Sequence, residues 1–199
     1  MPKQPRRSIG DTVRAYDRSP EFFDRAWSGI SMQEKLRHFR QALPPGARRV
    51  LDAGCGSGRD LRWFLECDLQ AVGGDLSAAL LDVARQNASA GRFVRLDLRR
   101  LPFVAGSFDG VWACASLLHL PRVQVASALD ELARVLRRGG ALFLGMKRGT
   151  GESWTDTGGG HRFFTYFEAD EILALVEARG LLATDLWRNT EWVDLLCQR

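Results

Sequence analysis

The stretch Val50-Leu51-Asp52-Ala53-Gly54-Cys55-Gly56-Ser57-Gly58-Arg59-Asp60 decides the fold. Val50 and Leu51 end a short apolar run, three glycines follow at alternate positions, and Leu61, Phe64 and Leu65 recur at helical spacing. The reading is a buried strand, a glycine loop and a helix that begins about Gly58. Glycine carries no Cβ, so such a loop lets the backbone come close to a ligand. A strand that feeds a glycine loop and a helix N-terminus is a nucleotide-binding arrangement. A glycine-rich turn without a ligand is the other reading of the same residues.

Outward from this stretch the chain alternates strands and helices. Gln70 to Asp75 reads as a second strand, and Ser77 as the N-cap of a helix to about Ala88 with Leu80, Leu81 and Ala84 inward. Arg92 to Asp97 and Phe108 to Ala115 read as the third and fourth strands, joined by a loop over residues 98–107. Pro121 suits the first turn of a helix carrying Val125, Leu129, Leu132 and Leu136 on one face, with Gly139-Gly140 as its stop. Ala141 to Met146 is the fifth strand. Near-continuous apolar strands alternating with amphipathic helices imply a parallel sheet covered on both faces.

Before the first strand, residues 1–10 read as a disordered tail, 11–17 as one short helix broken before Pro20, and 31–43 as a helix. After Lys147, five glycines between 148 and 160 predict a mobile loop. Glu168 to Arg179 reads as a helix, and Leu181 to Trp187 with Glu191 to Cys197 as a closing hairpin.

Composition bounds the function. The 199 residues suit one domain; hydrophobic content is 45% and charged content 26%, with a net charge of +4. Lys3, Arg6 and Arg7 supply part of that excess and the other cations are scattered, which reads as a solvated surface more than a nucleic-acid footprint. Cys55, Cys67, Cys114 and Cys197 have no metal or redox spacing, so reduced thiols in a cytoplasmic protein are the simplest account. No apolar run reaches membrane-spanning length.

A dinucleotide fingerprint would need glycine at 54, 56 and 59, and position 59 is Arg. The pattern D-x-G-x-G-x-G over Asp52–Gly58 instead resembles motif I of the class I S-adenosylmethionine (SAM) dependent methyltransferases. Asp75 ends the second strand 21 positions after Gly54, a separation at which a carboxylate can meet a ribose diol; capping of the next helix is the alternative. Asp97-Leu98-Arg99-Arg100-Leu101-Pro102-Phe103 resembles the family segment in which the Asp takes the adenine amino group and the next backbone amide a ring nitrogen; a loop-opening Asp is the alternative. Phe108 to His119 is like the family's fourth strand and its exit, which line the methionine part of SAM. The resemblance covers residues 48–147 closely.

That resemblance implies an α/β fold, a doubly wound, seven-stranded, mostly parallel sheet in the order 3-2-1-4-5-7-6, with a C-terminal antiparallel hairpin and helices on both faces. It implies one domain over 11–199, with the N-terminal arm 11–45 and the loop 148–163 as a lid over the cofactor. The cofactor is SAM, with S-adenosyl-L-homocysteine as product. Tyr16, Asp52, Gly54, Cys55, Gly56, Gly58, Asp75, Leu76, Asp97, Leu98, Ala113 and Cys114 are the residues it assigns to the cofactor, and His119 stands where a general base could act or where an aromatic could pack. Tyr16 either closes over the cofactor or packs on the core. His161, Phe163, Phe164 and Tyr166 could wall an acceptor pocket, and Lys147 and Arg148 could hold an anionic acceptor. No metal is implied.

The implied reaction moves the sulfonium methyl group to a small-molecule acceptor at O, N, S or a chalcogen, by a monomer or homodimer without nucleic acid or membrane. Gly58-Arg59-Asp60 also resembles the tellurite-resistance type of methyltransferase. Three other readings stay open: a non-catalytic SAM-binding sensor, a nucleic-acid methyltransferase, which would need a basic domain or an N-P-P-Y type motif, and a nicotinamide oxidoreductase, which Arg59 disfavours.

Overall fold

The computed structural model describes residues 8–156 and 158–199. Three helices come first: α1 (Ile9–Arg18), α2 (Pro20–Ser28) and α3 (Gln33–Ala42). The expected tail over residues 1–10 is revised at its end. Ile9 and Gly10 are helical, because the Ser8 N–H donates to the Asp11 carboxylate at 2.6 Å and starts the helix there; residues 1–7 lie outside the described residues.

The alternating part follows as β1 (Arg49–Ala53), α4 (Arg59–Glu66), β2 (Gln70–Asp75), α5 (Ala78–Asn87), β3 (Arg92–Arg95), β4 (Phe108–Cys114), a 3₁₀ turn (Leu117–His119), α6 (Arg122–Val135) and β5 (Leu136–Arg148). The chain closes with β6 (Glu152–Asp156), β7 (His161–Phe167), α7 (Ala169–Glu177), β8 (Leu182–Arg188) and β9 (Trp192–Gln198). Strands β3, β2, β1, β4 and β5 are parallel neighbours in that order, and β9 joins β5 antiparallel with β8 beyond it. These seven strands follow the expected order with its closing hairpin, and β7 and β6 extend the sheet to nine strands among the described residues.

The central strands β1, β4 and β5 are largely apolar because both of their faces are covered. Leu51, Val111, Ala113, Leu142 and Leu144 face the core under α6 and α7, with Val125, Leu129, Leu132, Ile172 and Val176. Their neighbours in sequence, Val50, Trp112, Ala141 and Phe143, face the core under α3 and α4, with Leu36, Phe39, Leu61 and Phe64. The period-2 alternation assigns each residue to one side. Trp112 and Phe143 stack with ring centroids 3.8 Å apart and fix the register of β4 on β5.

Two expectations are corrected. Helix α6 ends at Val135, not at Gly139-Gly140, because Leu136 already pairs with Phe108 across an irregular step in the ladder. The segment after Arg148 is not a glycine loop throughout. Residues 152–156 form β6, which pairs antiparallel with β7 from Glu152↔Thr165 to Asp156↔His161. The glycines predict a mobile loop, yet Gly149 and Gly151, at φ +139° and +75°, turn the chain into the hairpin. Trp154 packs on Phe163 across it at 5.5 Å, and β7 attaches to the last two residues of β5. Thr157, within the expected lid, lies outside the described residues.

Candidate functional site

A cavity of about 430 Å³ opens at the carboxyl ends of β1, β2 and β4 and runs to β9. Open α/β sheets bind ligands at that edge, where the strand order reverses. Here the reversal falls between β1 and β4.

The glycine loop forms one wall. The Gly54 and Cys55 N–H groups donate to the Gly74 carbonyl at 2.7 and 3.0 Å, which folds the loop back over β2. A Cβ on Gly54, at φ +88°, would lie 2.2 Å from the Ser116 Cβ, so only glycine fits between the loop and the exit of β4. Cys55 and Gly56 also line the cavity. Gly58 does not. It starts α4 at φ +84°, and its Cβ position lies 3.1 Å from Ala84, so it lets α4 and α5 approach each other.

Asp52, the residue before the end of β1, is buried, and its Oδ2 has no hydrogen-bond partner among the described residues. Burial, with the nearby Asp60 carboxylate second, pushes its carboxyl well above the usual range. Asp75 ends β2. Its Oδ2 accepts the Gly56 N–H and its Oδ1 the Ser77 N–H, both at 2.9 Å, so it ties the loop to the start of α5. Burial raises its pKa against those two bonds. Asp97 is held by Arg99, whose guanidinium pairs with it and keeps its carboxyl below the usual range. Asp52, Asp75, Leu76, Asp97 and Leu98 all line the cavity.

The exit of β4 separates two of the expected residues. Ala113 is fully buried on the α6 side of the sheet, whereas Cys114 lines the cavity. Adjacent side chains of a strand face opposite ways, so those of Ala113 and Cys114 lie on different faces of the sheet.

Tyr16 and His119 line the cavity together from α1 and the 3₁₀ turn. His119 Nδ1 lies 2.6 Å from the Phe163 carbonyl, which can only accept, so Nδ1 carries the proton and Nε2 accepts from Tyr16. Arg162 donates to the Tyr16 oxygen at 2.8 Å. Burial lowers the His119 pKa to about 4. Its one basic nitrogen is engaged by Tyr16, so in this conformation His119 is an anchor for the arm and not a free base.

The candidate acceptor wall lies elsewhere than expected. His161, Phe163, Phe164 and Tyr166 do not line the cavity. Phe164 packs on His119 at 5.0 Å, and the Tyr166 hydroxyl bonds to Ser153 at 3.0 Å. Lys147 lies over Trp192 at 4.6 Å, and Arg148 pairs with Glu168 at 2.9 Å; neither reaches the cavity. Instead Met32 and Lys35 from the arm, Asp60 from α4, Ser116, and Asn189, Trp192 and Asp194 near the C-terminus are among the other residues that line it. Asp60 accepts the Trp112 indole N–H at 2.9 Å and pairs with Arg59 at 2.7 Å. Lys35 and Asp194 carry no motif, and only the fold brings them together.

Comparison with known proteins agrees with this geometry. Residues 50–140 match a methyltransferase domain family. A malonyl-[acyl-carrier protein] O-methyltransferase of Enterobacter lignolyticus is 37% identical over 94 residues, 47% of this chain and 37% of that protein. Methyltransferase GfsG of Streptomyces halstedii is 37% identical over 125 residues, 59% of this chain and 43% of that protein. Each match thus spans well under two thirds of the relative's own length. In structure, the 1,6-didemethyltoxoflavin-N1-methyltransferase of Burkholderia thailandensis, solved with 1,6-didemethyltoxoflavin and S-adenosylhomocysteine, superposes with a TM-score of 0.76 at 21% identity. That superposition covers 99% of this chain and 92% of the other, and it shows a shared fold.

Proposed function

We propose that the chain transfers the methyl group of SAM to a small-molecule acceptor, because residues 50–140 match a methyltransferase domain family and the sheet has the strand order expected of the class I fold. One observation carries the reading: carboxylates at the ends of β1 and β2 and just past β3 line one cavity with a glycine loop that has no room for a side chain at Gly54.

The residues fit the cofactor. Asp52 Oδ2, buried and without a hydrogen-bond partner among the described residues, suits the cationic amino group of the methionine part. Each Asp75 oxygen has accepted one backbone N–H and retains a lone pair for a ribose hydroxyl. Asp97 and Leu98 suit the adenine edge, and Cys55 and Leu76 line the same cavity. The cofactor supplies an electrophilic methyl group, and the chain's part is to hold the acceptor in line and keep water out. The arm is placed to exclude water, since Tyr16 and Trp27 line the cavity and Trp27 lies over the glycine loop, 3.2 Å from where a Gly56 Cβ would be.

The relatives support a small acceptor: one acts on a malonyl-[acyl-carrier protein] and the structural neighbour is solved with 1,6-didemethyltoxoflavin. Among the described residues no helix is long and apolar enough to cross a membrane. The four free cysteines support a reducing, cytoplasmic location. Thermal denaturation tests the reading. SAM and S-adenosylhomocysteine should raise the melting temperature by binding the folded state, and NAD should not. Stabilisation by NAD alone overturns it.

A further inference from the structure

This inference rests on the methyltransferase reading and concerns the acceptor. Lys35 of α3 and Asp194 of β9 form an ion pair at the end of the cavity four strands across the sheet from Asp75. At about 4.8 Å per strand, that separation is roughly 19 Å.

Gly145 makes the arrangement possible. It pairs with Cys114 on one side and Asp194 on the other, so these three positions form one row on one face of the sheet. A Cβ at 145 would lie 2.8 Å from Asp194 Oδ1. Glycine there lets the carboxylate lie across the strand toward Cys114. Asp194 is only 4% exposed; its Oδ2 is held by the Lys35 ammonium, and its Oδ1 has no hydrogen-bond partner among the described residues. Lys35 keeps two further N–H donors.

A carboxylate oxygen beside an ammonium donor reads two adjacent groups: an N–H or O–H on the first and a carbonyl on the second. The complement is a lactam edge, N–H next to C=O, in a planar ring. Trp192 at the same end offers such a ring an aromatic wall. Oxyanions fit poorly. Arg59 is already bound through two nitrogens to Asp60 at 2.7 and 2.8 Å, Lys35 is bound to Asp194, and Asp52 adds a third carboxylate near Cys114.

We propose that the Lys35–Asp194 pair selects the methyl acceptor, taking a neutral planar heterocycle by its lactam edge and excluding oxyanions. Calorimetric titration of the protein loaded with S-adenosylhomocysteine tests this without turnover. The probes are lumazine, which has the lactam edge, 1,3-dimethyllumazine, which lacks its N–H groups, and tellurite. Lumazine should bind, the dimethyl analogue at least tenfold more weakly, and tellurite not at all. Asp194→Asn and Lys35→Met should each weaken lumazine tenfold or more while S-adenosylhomocysteine affinity stays within twofold. Binding of tellurite, equal binding of the two lumazines, or no lumazine binding overturns the proposal. If Asp194→Asn does not fold, Lys35→Met and the wild-type comparison decide. S-adenosylhomocysteine binding without lumazine binding defeats this proposal alone; no S-adenosylhomocysteine binding defeats the methyltransferase reading.

Discussion

The Tyr16 hydroxyl lies 2.6 Å from His119 Nε2, which joins the N-terminal arm to the exit of β4 across 103 positions of sequence. The bond is one link in a chain from Arg162 through Tyr16 and His119 to the Phe163 carbonyl. Nearby, Asp17 accepts the Ser77 hydroxyl at 2.6 Å and the Ala79 N–H at 3.2 Å, and Thr12 accepts the Phe163 N–H at 2.9 Å. The arm is thus fastened at three points beside the cavity.

Tyr16→Phe should keep the ring contacts with Phe23, at 4.6 Å, and Trp27, at 5.8 Å, while removing the hydroxyl. It leaves a buried His119 nitrogen without its donor, so a stability loss of about 1–3 kcal/mol is expected. Urea unfolding of the two proteins measures it; a difference below about 0.5 kcal/mol would mean that the bond contributes nothing net.

His119 should make stability depend on acidity in one direction. Its pKa is lowered from 6.5 to about 4 in the folded protein. Between those values the unfolded chain binds the extra proton, so this contribution is complete above pH 6.5 and is lost as pH falls toward 4. Asp52, Asp75 and Asp194 have raised pKa values and act in the opposite sense, so a variant must isolate the histidine. The stability difference between wild type and His119→Phe should shrink as pH is lowered from 7 to 4.5. A difference that is flat across that range removes His119 from the account.

Asp75→Ala should weaken SAM by roughly 1.5–3 kcal/mol, about 10- to 150-fold, through loss of a charged partner for two ribose hydroxyls. The same change frees the Gly56 and Ser77 N–H groups, so some of the loss arises in the loop. Calorimetry beside a melting curve separates the two. Unchanged SAM affinity in a folded variant takes Asp75 out of the site.

Hydrogen exchange tests whether the arm is a lid. If it opens to admit the cofactor, amides of α1 and α2 should exchange faster in the free protein and slow when S-adenosylhomocysteine is added. The β6–β7 ladder, already paired, should show slow exchange in both states. Equal protection of α1 and α2 with and without ligand would mean that the arm is fixed structure.

The sequence by itself determined the local frame. Asp52 through Asp60 could be read because a strand, a glycine turn and a helix start depend on neighbours a few residues apart, and the positive φ values at Gly54, Gly56 and Gly58 are local requirements. Asp75 and Asp97 were legible for the same reason, since each follows a short apolar run. Tertiary structure alone decided which side of β4 faces the cavity, so that Cys114 lines it and Ala113 does not. It turned 152–156 into a strand, because β6 exists only by pairing with β7. It set Lys35 against Asp194 at a separation of 159 positions, and engaged the basic nitrogen of His119 with Tyr16. Periodicity and turn chemistry act within a few residues, whereas side chains distant in sequence meet only after the sheet has fixed its register and the helices have closed over it.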